Sequence, residues 1–242
     1  MVSSEDIEDG PDLTTASDGG PPGGTEGTPI TIRITRIYLV RHGRTALNAA
    51  GALRGHLDPE LDAVGVHQVS VLGDVLGRQS HKLVVSSPLR RATETASAVA
   101  RWAGVEVEKD DRFVDRDYGE WAGHRPDELI ARYGSVDAAS GVEPASAVLE
   151  RALSGLADVA DRVGEASGVI VSHDVVNRLL LHSIDPSLGE IGQIPQDTAC
   201  FNVLERTHGH WRVLSVNNAP AGHDSPPESP GPAATSRERE RG

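Results

Sequence analysis

Short apolar runs alternate with stretches of helical spacing along most of this chain. Ile34–Val40 reads ITRIYLV, rich in β-branched residues, and predicts a first strand. From Leu61 to Arg78 the apolar positions Leu61, Val64, Val69, Leu72 and Leu76 recur at the period of a helix with one buried face. Lys82–Ser86 (KLVVS) predicts a short buried strand. Pro88 is read as the opening residue of a helix reaching about Trp102, because proline is well tolerated in a first turn. Ser146–Val163 predicts a further helix, and Gly168–Ser172 (GVIVS) a strand followed by a helix from Asp174 to about His182. Ala199–Glu205 and Trp211–Val216 predict a hairpin around THGH. Such alternation implies an α/β three-layer sandwich, a mainly parallel sheet with helices on both faces.

Composition refines this picture in three ways. Aromatic residues are only 3% of the 242, so the core must come from Val, Leu, Ile and Ala. The single cysteine, Cys200, excludes an internal disulfide and a cysteine-based zinc site, and is expected to be a small buried hydrophobe. Residues 1–29 hold seven acids and no Lys or Arg, among many Gly, Pro, Ser and Thr. They and residues 222–242 (with PPESPGP and RERERG) lack the apolar content to offset ordering entropy, and are expected to be disordered tails around one domain at 30–221. The net charge of −13 therefore overstates the acidity of the middle, where residues 30–222 carry −5. No basic stripe suggests nucleic acid. No basic n-region suggests a signal peptide, and no run approaches the roughly 20 apolar residues of a membrane span, so a cytoplasmic protein is expected.

The chemistry gathers at predicted strand ends. Arg41-His42-Gly43 follows the first strand and His173 follows GVIVS, the edge at which open α/β sheets bind ligands. Ser86-Ser87-Pro88-Leu89-Arg90-Arg91-Ala92 brings arginines to a third strand-to-helix junction. Guanidinium groups grip phosphate oxygens in a fork, and helix-start N–H groups add donors. Histidines and arginines without metal-ligand spacing suggest phosphoryl transfer without a metal or other cofactor.

The segments LVRHGRTALN, SSPLRRATETA, DRDYGEWAG and VSHD, spread over about residues 36–218, together resemble the histidine phosphatase superfamily, the phosphoglycerate mutase-like group. The resemblance implies that His42 is the residue phosphorylated, that Arg41 and Arg91 bind phosphate, that His173 steadies the transferring phosphoryl group, and that Asn48 touches phosphate or substrate. It implies a small phosphorylated metabolite as partner. The proton donor departs from the family pattern. Asp115 stands where a Glu is usual, four residues before Gly119, and Asp174 follows His173 where a Gly is common. In the acid-phosphatase and phytase branch an Asp at that second place is the donor. The two carboxyls compete, with Asp115 favoured because DRDYG keeps the family register; the other expectation for Asp174 is a helix cap. Arg54 replaces a common Gln and Arg44 a Glu or Gln, and each is weighed between added positive charge at the mouth and a solvated surface. Trp121 and His124 are candidates for the pocket wall, whereas Arg90 is expected to be exposed and His208 and His210 to belong to a turn.

Only 58 residues separate Asp115 from His173. The mutases of this group carry a longer insertion there, which helps close the site. A shorter connection leaves water access to a phosphohistidine, so hydrolysis of a phosphate monoester is expected over mutase-type transfer, which should need a bisphosphoglycerate primer. A non-catalytic phosphate-binding relative is the third reading, supported by the exchange of Glu for Asp.

Overall fold

The computed structural model describes residues 33–223. The tails expected at 1–29 and 222–242 lie outside these residues, except that Gly222 and His223 are described and His223 is buried. Six strands form one mixed sheet in the order β3-β2-β4-β1-β5-β6. These are β1 (Ile34–Arg41), β2 (Leu83–Ser86), β3 (Val107–Lys109), β4 (Ser167–Ser172), β5 (Phe201–Thr207) and β6 (His210–Asn218). β1 to β4 are parallel, and β5 and β6 form the predicted hairpin, antiparallel beside β1. Its two-residue turn, His208-Gly209, takes positive φ at both positions, which matches the twist of the flanking strands.

The central strands read as continuous apolar runs because both faces are covered. Alternate side chains take opposite sides. Ile37, Leu39, Val85 and Ile170 pack with α5 (Ala145–Val163) and α6 (Asp174–Ile184) through Val148, Leu156, Val176 and Leu180. Tyr38, Val40, Val84, Val169 and Val171 pack with α2 (Ala63–Leu76) and α3 (Arg90–Ala103) through Val69, Leu72, Ala96 and Val99. Two shorter helices, α1 (Ala46–Ala49) and α4 (Pro126–Tyr133), lie in the connections. Among the described residues no helix is long and apolar enough to cross a membrane.

One helix start differs from the sequence reading. Pro88 precedes α3, whose N-cap is Leu89 in extended conformation. The Ser87 hydroxyl accepts the Leu89 N–H instead, at 3.4 Å. Cys200 is buried as expected, and burial pushes its thiol up to about 12.

Candidate active site

The sheet order makes β1 and β4 neighbours, with Arg41 opposite Ser172. The next residue of each strand is a histidine. His42 N–H donates to Ser172 O at 3.1 Å, and the rings of His42 and His173 lie 5.1 Å apart, both fully buried. Gly43 is required by close backbone approach. A Cβ there would lie 2.6 Å from Val69 and 3.0 Å from Gly65 O, and one on Gly65 would lie 2.0 Å from Arg44 O. The start of α2 thus presses directly on the loop after His42. On the other side, Ala199 adopts φ 56° and donates its N–H to His42 O at 3.0 Å. A left-handed backbone costs an L-residue about 1–2 kcal/mol, so this contact is held against a local strain.

His42 Nδ1 lies 2.7 Å from Gly43 O, which can only accept, so Nδ1 carries the proton. Nε2 is left with its lone pair, toward which Arg91 Nε donates at 3.3 Å. Burial first, then the charges of Arg91, Arg41 and Arg54, hold this imidazole well below its ordinary 6.5. Burial and then Arg91 do the same to His173. His173 Nε2 lies 2.8 Å from the Ser87 hydroxyl, and Nδ1 is 3.7 Å from Asp115 Oδ2, with no hydrogen bond of its own. Both imidazoles are therefore neutral, and the cations beside them are arginines.

Arg91 is fully buried. Its guanidinium donates to Leu57 O at 2.7 Å, Gly55 O at 3.0 Å and Asp115 Oδ2 at 3.0 Å as well as to His42. A buried cation costs several kcal/mol of desolvation, and these bonds offset it. Arg41 donates Nη1 to Gln196 O and lies 3.7 Å from Asp174 Oδ2, while its buried Nε has no hydrogen-bond partner. Gln196 is itself fixed by a buried amide network with Asn177 and Asn202. Arg54 donates to Ala52 O, keeps a buried Nε without a partner, and pairs with no carboxylate among the described residues. Its charge nevertheless depresses His42, His173, Arg41 and Arg91, so it belongs to the same cluster.

The two candidate carboxyls occupy different ground. Asp115 is 1% exposed and lies against Arg91 and His173. Asp174 is partly exposed. It is bound by Arg178 one turn along α6 and faces Arg41. It does not cap that helix: the N-cap is His173, without a side-chain cap bond. Asn48 meets Thr45 instead, its Oδ1 accepting from the Thr45 N–H and hydroxyl in a capping box at the start of α1.

Several candidates fall away from the site. Arg44 is paired with Asp62 at 2.9 Å, and Arg90 is exposed between Glu60 and Glu94. His124 is half exposed and paired with Glu128. Trp121 is buried in a small cluster with Leu53, Tyr118 and Leu129. Sequence reasoning missed Ser87 as a partner of His173 and Gln196 as a partner of Arg41; the doubled serine before Pro88 was a local signal, but nothing local announced Gln196. Among the described residues no group of three or more His, Cys, Asp or Glu is arranged to hold a metal ion.

The family model "Histidine phosphatase superfamily (branch 1)" matches residues 37–219. The chain is 29% identical to an uncharacterized phosphatase, PhoE, of Bacillus subtilis strain 168 over 76% of its own length and 95% of that protein's. It is 28% identical to phosphoserine phosphatase 1 of Hydrogenobacter thermophilus over 76% and 92%. Among solved structures, Bacillus stearothermophilus YhfR superposes with a TM-score of 0.70 at 25% identity, covering 76% of this chain and 98% of that one.

Proposed function

This chain belongs to the histidine phosphatase superfamily, and on that premise we propose that His42 carries the phosphoryl group between a small phosphate monoester and water. The chain is a phosphoric monoester hydrolase. The observation that carries the proposed route is the protonation pattern of His42. With Nδ1 donating to Gly43 O, the unprotonated Nε2 faces the arginine cluster where a phosphoryl group would sit.

In the first step the Nε2 lone pair attacks phosphorus in line, and the P–O bond to the leaving oxygen breaks. Arg41, Arg54 and Arg91, whose charges already act on His42, offset the charge on the equatorial oxygens. His173 lies beside the same oxygens and donates a hydrogen bond to them. Asp115 gives its proton to the leaving oxygen, so that an alcohol departs. In the second step a water oxygen attacks phosphorus, the P–N bond breaks back onto Nε2, and inorganic phosphate leaves carrying both water protons, while Asp115 recovers its proton from solvent. Asp115 is preferred over Asp174 because it touches Arg91 and His173, whereas Asp174 is engaged by Arg178. We assign Asn48 a lesser role, as the residue that fixes the loop after His42. The three arginines suit a small, strongly anionic ester; the relative from H. thermophilus is a phosphoserine phosphatase, which makes phosphoserine the natural first member of a panel.

The test is phosphate release from a panel of phosphorylated small metabolites with no bisphosphoglycerate added. Steady hydrolysis of at least one ester supports the reading. Transfer that appears only with the primer, or no turnover on any ester, contradicts it.

A further inference from the structure

Asp115 lies just after the short 3-10 turn Asp111–Phe113, and the four successive carbonyls from Arg112 to Asp115 are each met by a side chain. Arg151, on α5, donates Nη1 to Arg112 O at 2.9 Å and to Val114 O at 2.7 Å, and Nη2 to Asp115 O at 3.2 Å. The Ser172 hydroxyl donates to Phe113 O at 2.9 Å, and His56 Nε2 lies 3.1 Å from Asp115 O. Arg151 is in turn gripped by both oxygens of Glu143, at 2.9 Å from Nε and 3.0 Å from Nη2. All five N–H groups of the guanidinium are thereby used, which fixes its plane as well as its position.

Glu143 also holds the far side of Asp115. Its carboxylate accepts the Asp117 N–H at 3.1 Å, its N–H donates to Asp117 O at 2.8 Å, and its carbonyl accepts from Arg116 Nε at 2.7 Å. Its carboxyl is held below the usual range because the bonds from Arg151 and the Asp117 N–H outweigh the effect of burial. Arg151 and Glu143 are therefore joined into one clasp that spans residues 112–117 with Asp115 at its centre.

We infer that Arg151, locked by Glu143, is a positioning residue that holds Asp115 in reach of the leaving oxygen. The inference rests on the reading of Asp115 as proton donor. The clasp fixes backbone on both sides of one residue, and the side chain of that residue is the carboxyl that meets Arg91 and His173. A proton donor displaced by about 1 Å loses much of its effect, of the order of 10²-fold, while nucleophile and arginines stay in place.

The experiment compares two esters in the full chain: an alkyl phosphate, whose leaving group needs a proton, and p-nitrophenyl phosphate, whose leaving group needs little help. Arg151→Met should slow the alkyl ester about ten- to a hundredfold and p-nitrophenyl phosphate less than about threefold. Arg151→Lys, with three donors on one point charge, should recover part of the loss. Glu143→Gln keeps an acceptor but not the charge, and should show a smaller deficit of the same selective kind. In an Asp115→Asn background none of these changes should slow the alkyl ester further, because the group they position is gone. Equal losses on both esters, or losses that add to that of Asp115→Asn, would make the clasp merely structural and overturn the inference. If Arg151→Met fails to fold, Glu143→Gln decides alone, and a wild-type ester ratio there overturns it. If Asp115→Asn itself shows no leaving-group dependence, the donor assignment fails, and the inference with it; a selective Asp115→Asn beside a non-selective Arg151→Met overturns the inference alone.

Discussion

His42 and Asp115 meet the same arginine, but the chain holds them by different means. His42 and His173 each extend a central parallel strand by one residue, and the backbone N–H of His42 still bonds across to Ser172. Their placement follows from the sheet. Asp115 stands on an irregular stretch between a short turn at Asp111–Phe113 and the small cluster around Trp121, and it is placed by side chains that arrive from α5, β4 and the loop at His56. The first arrangement rests on strand pairing between two large cores. The second depends on a few polar contacts, each replaceable by one substitution. The proposed nucleophile thus sits on the part of the fold built by the sheet, and the proposed proton donor on the part that side chains must organise.

The largest expected effect separates these two regions chemically. Asp115→Asn should slow esters with poor leaving groups by about 10²-fold or more, the usual contribution of a general acid, while sparing p-nitrophenyl phosphate. Rates measured along a series of leaving groups should steepen with leaving-group pKa. A flat deficit would move the donor role away from Asp115, and a steep one in Asp174→Asn would move it there.

A second effect sharpens the comparison from the strand-end side. His42 and His173 are held well below their ordinary 6.5, and His81 below it, each chiefly by burial. As the pH falls through about 6.5 the unfolded chain binds protons that the folded chain does not. Stability should therefore be lost on acidification, by about 1.4 kcal/mol per pH unit for each such histidine, down to the folded-state values. Denaturant titrations between pH 7 and 5 check the sign and slope. His42→Asn should make the decline shallower. A stability that rises on acidification over this range would contradict neutral, buried histidines.

The smallest effect concerns Asp174. Asp174 and Arg178 are partly exposed and the buried Arg41 keeps its bond to Gln196 O, so Asp174→Asn should cost about 1 kcal/mol or less in a melting curve. Its effect on turnover should be the same on every leaving group.

The same contrast explains what the sequence discloses. β1, β2 and β4 were legible because strands buried on both faces read as apolar runs, and the residues just after them carried the histidines and arginines. The helices of both layers were legible from their periodicity to within a few residues. β3 was not: its three residues, Val107–Lys109, lie at the sheet edge with two of them exposed, and give no apolar run. Nor was α4, an eight-residue helix that buries only Leu129. Pro88 misled by two residues because proline serves before a helix as well as within its first turn. Asp115 could be singled out by its motif, but Arg151, Glu143 and Gln196 could not, since Arg151 and Glu143 meet partners 8 to 39 residues away in the chain and Gln196 meets Arg41 across 155. Asn48 carried a local signal of its own, a capping box with Thr45, beside the motif that pointed to substrate.

The central claim is that the phosphoryl group passes through His42. Mixing the protein with a phosphate-labelled ester that it turns over, quenching in base within the first turnover, and mapping the label by mass spectrometry tests this directly. The account predicts an acid-labile, base-stable phosphohistidine on His42 that is absent from His42→Ala, together with a loss of turnover in that variant of more than about a hundredfold. Label on another residue, or His42→Ala that keeps more than about a hundredth of the wild-type rate, would contradict it.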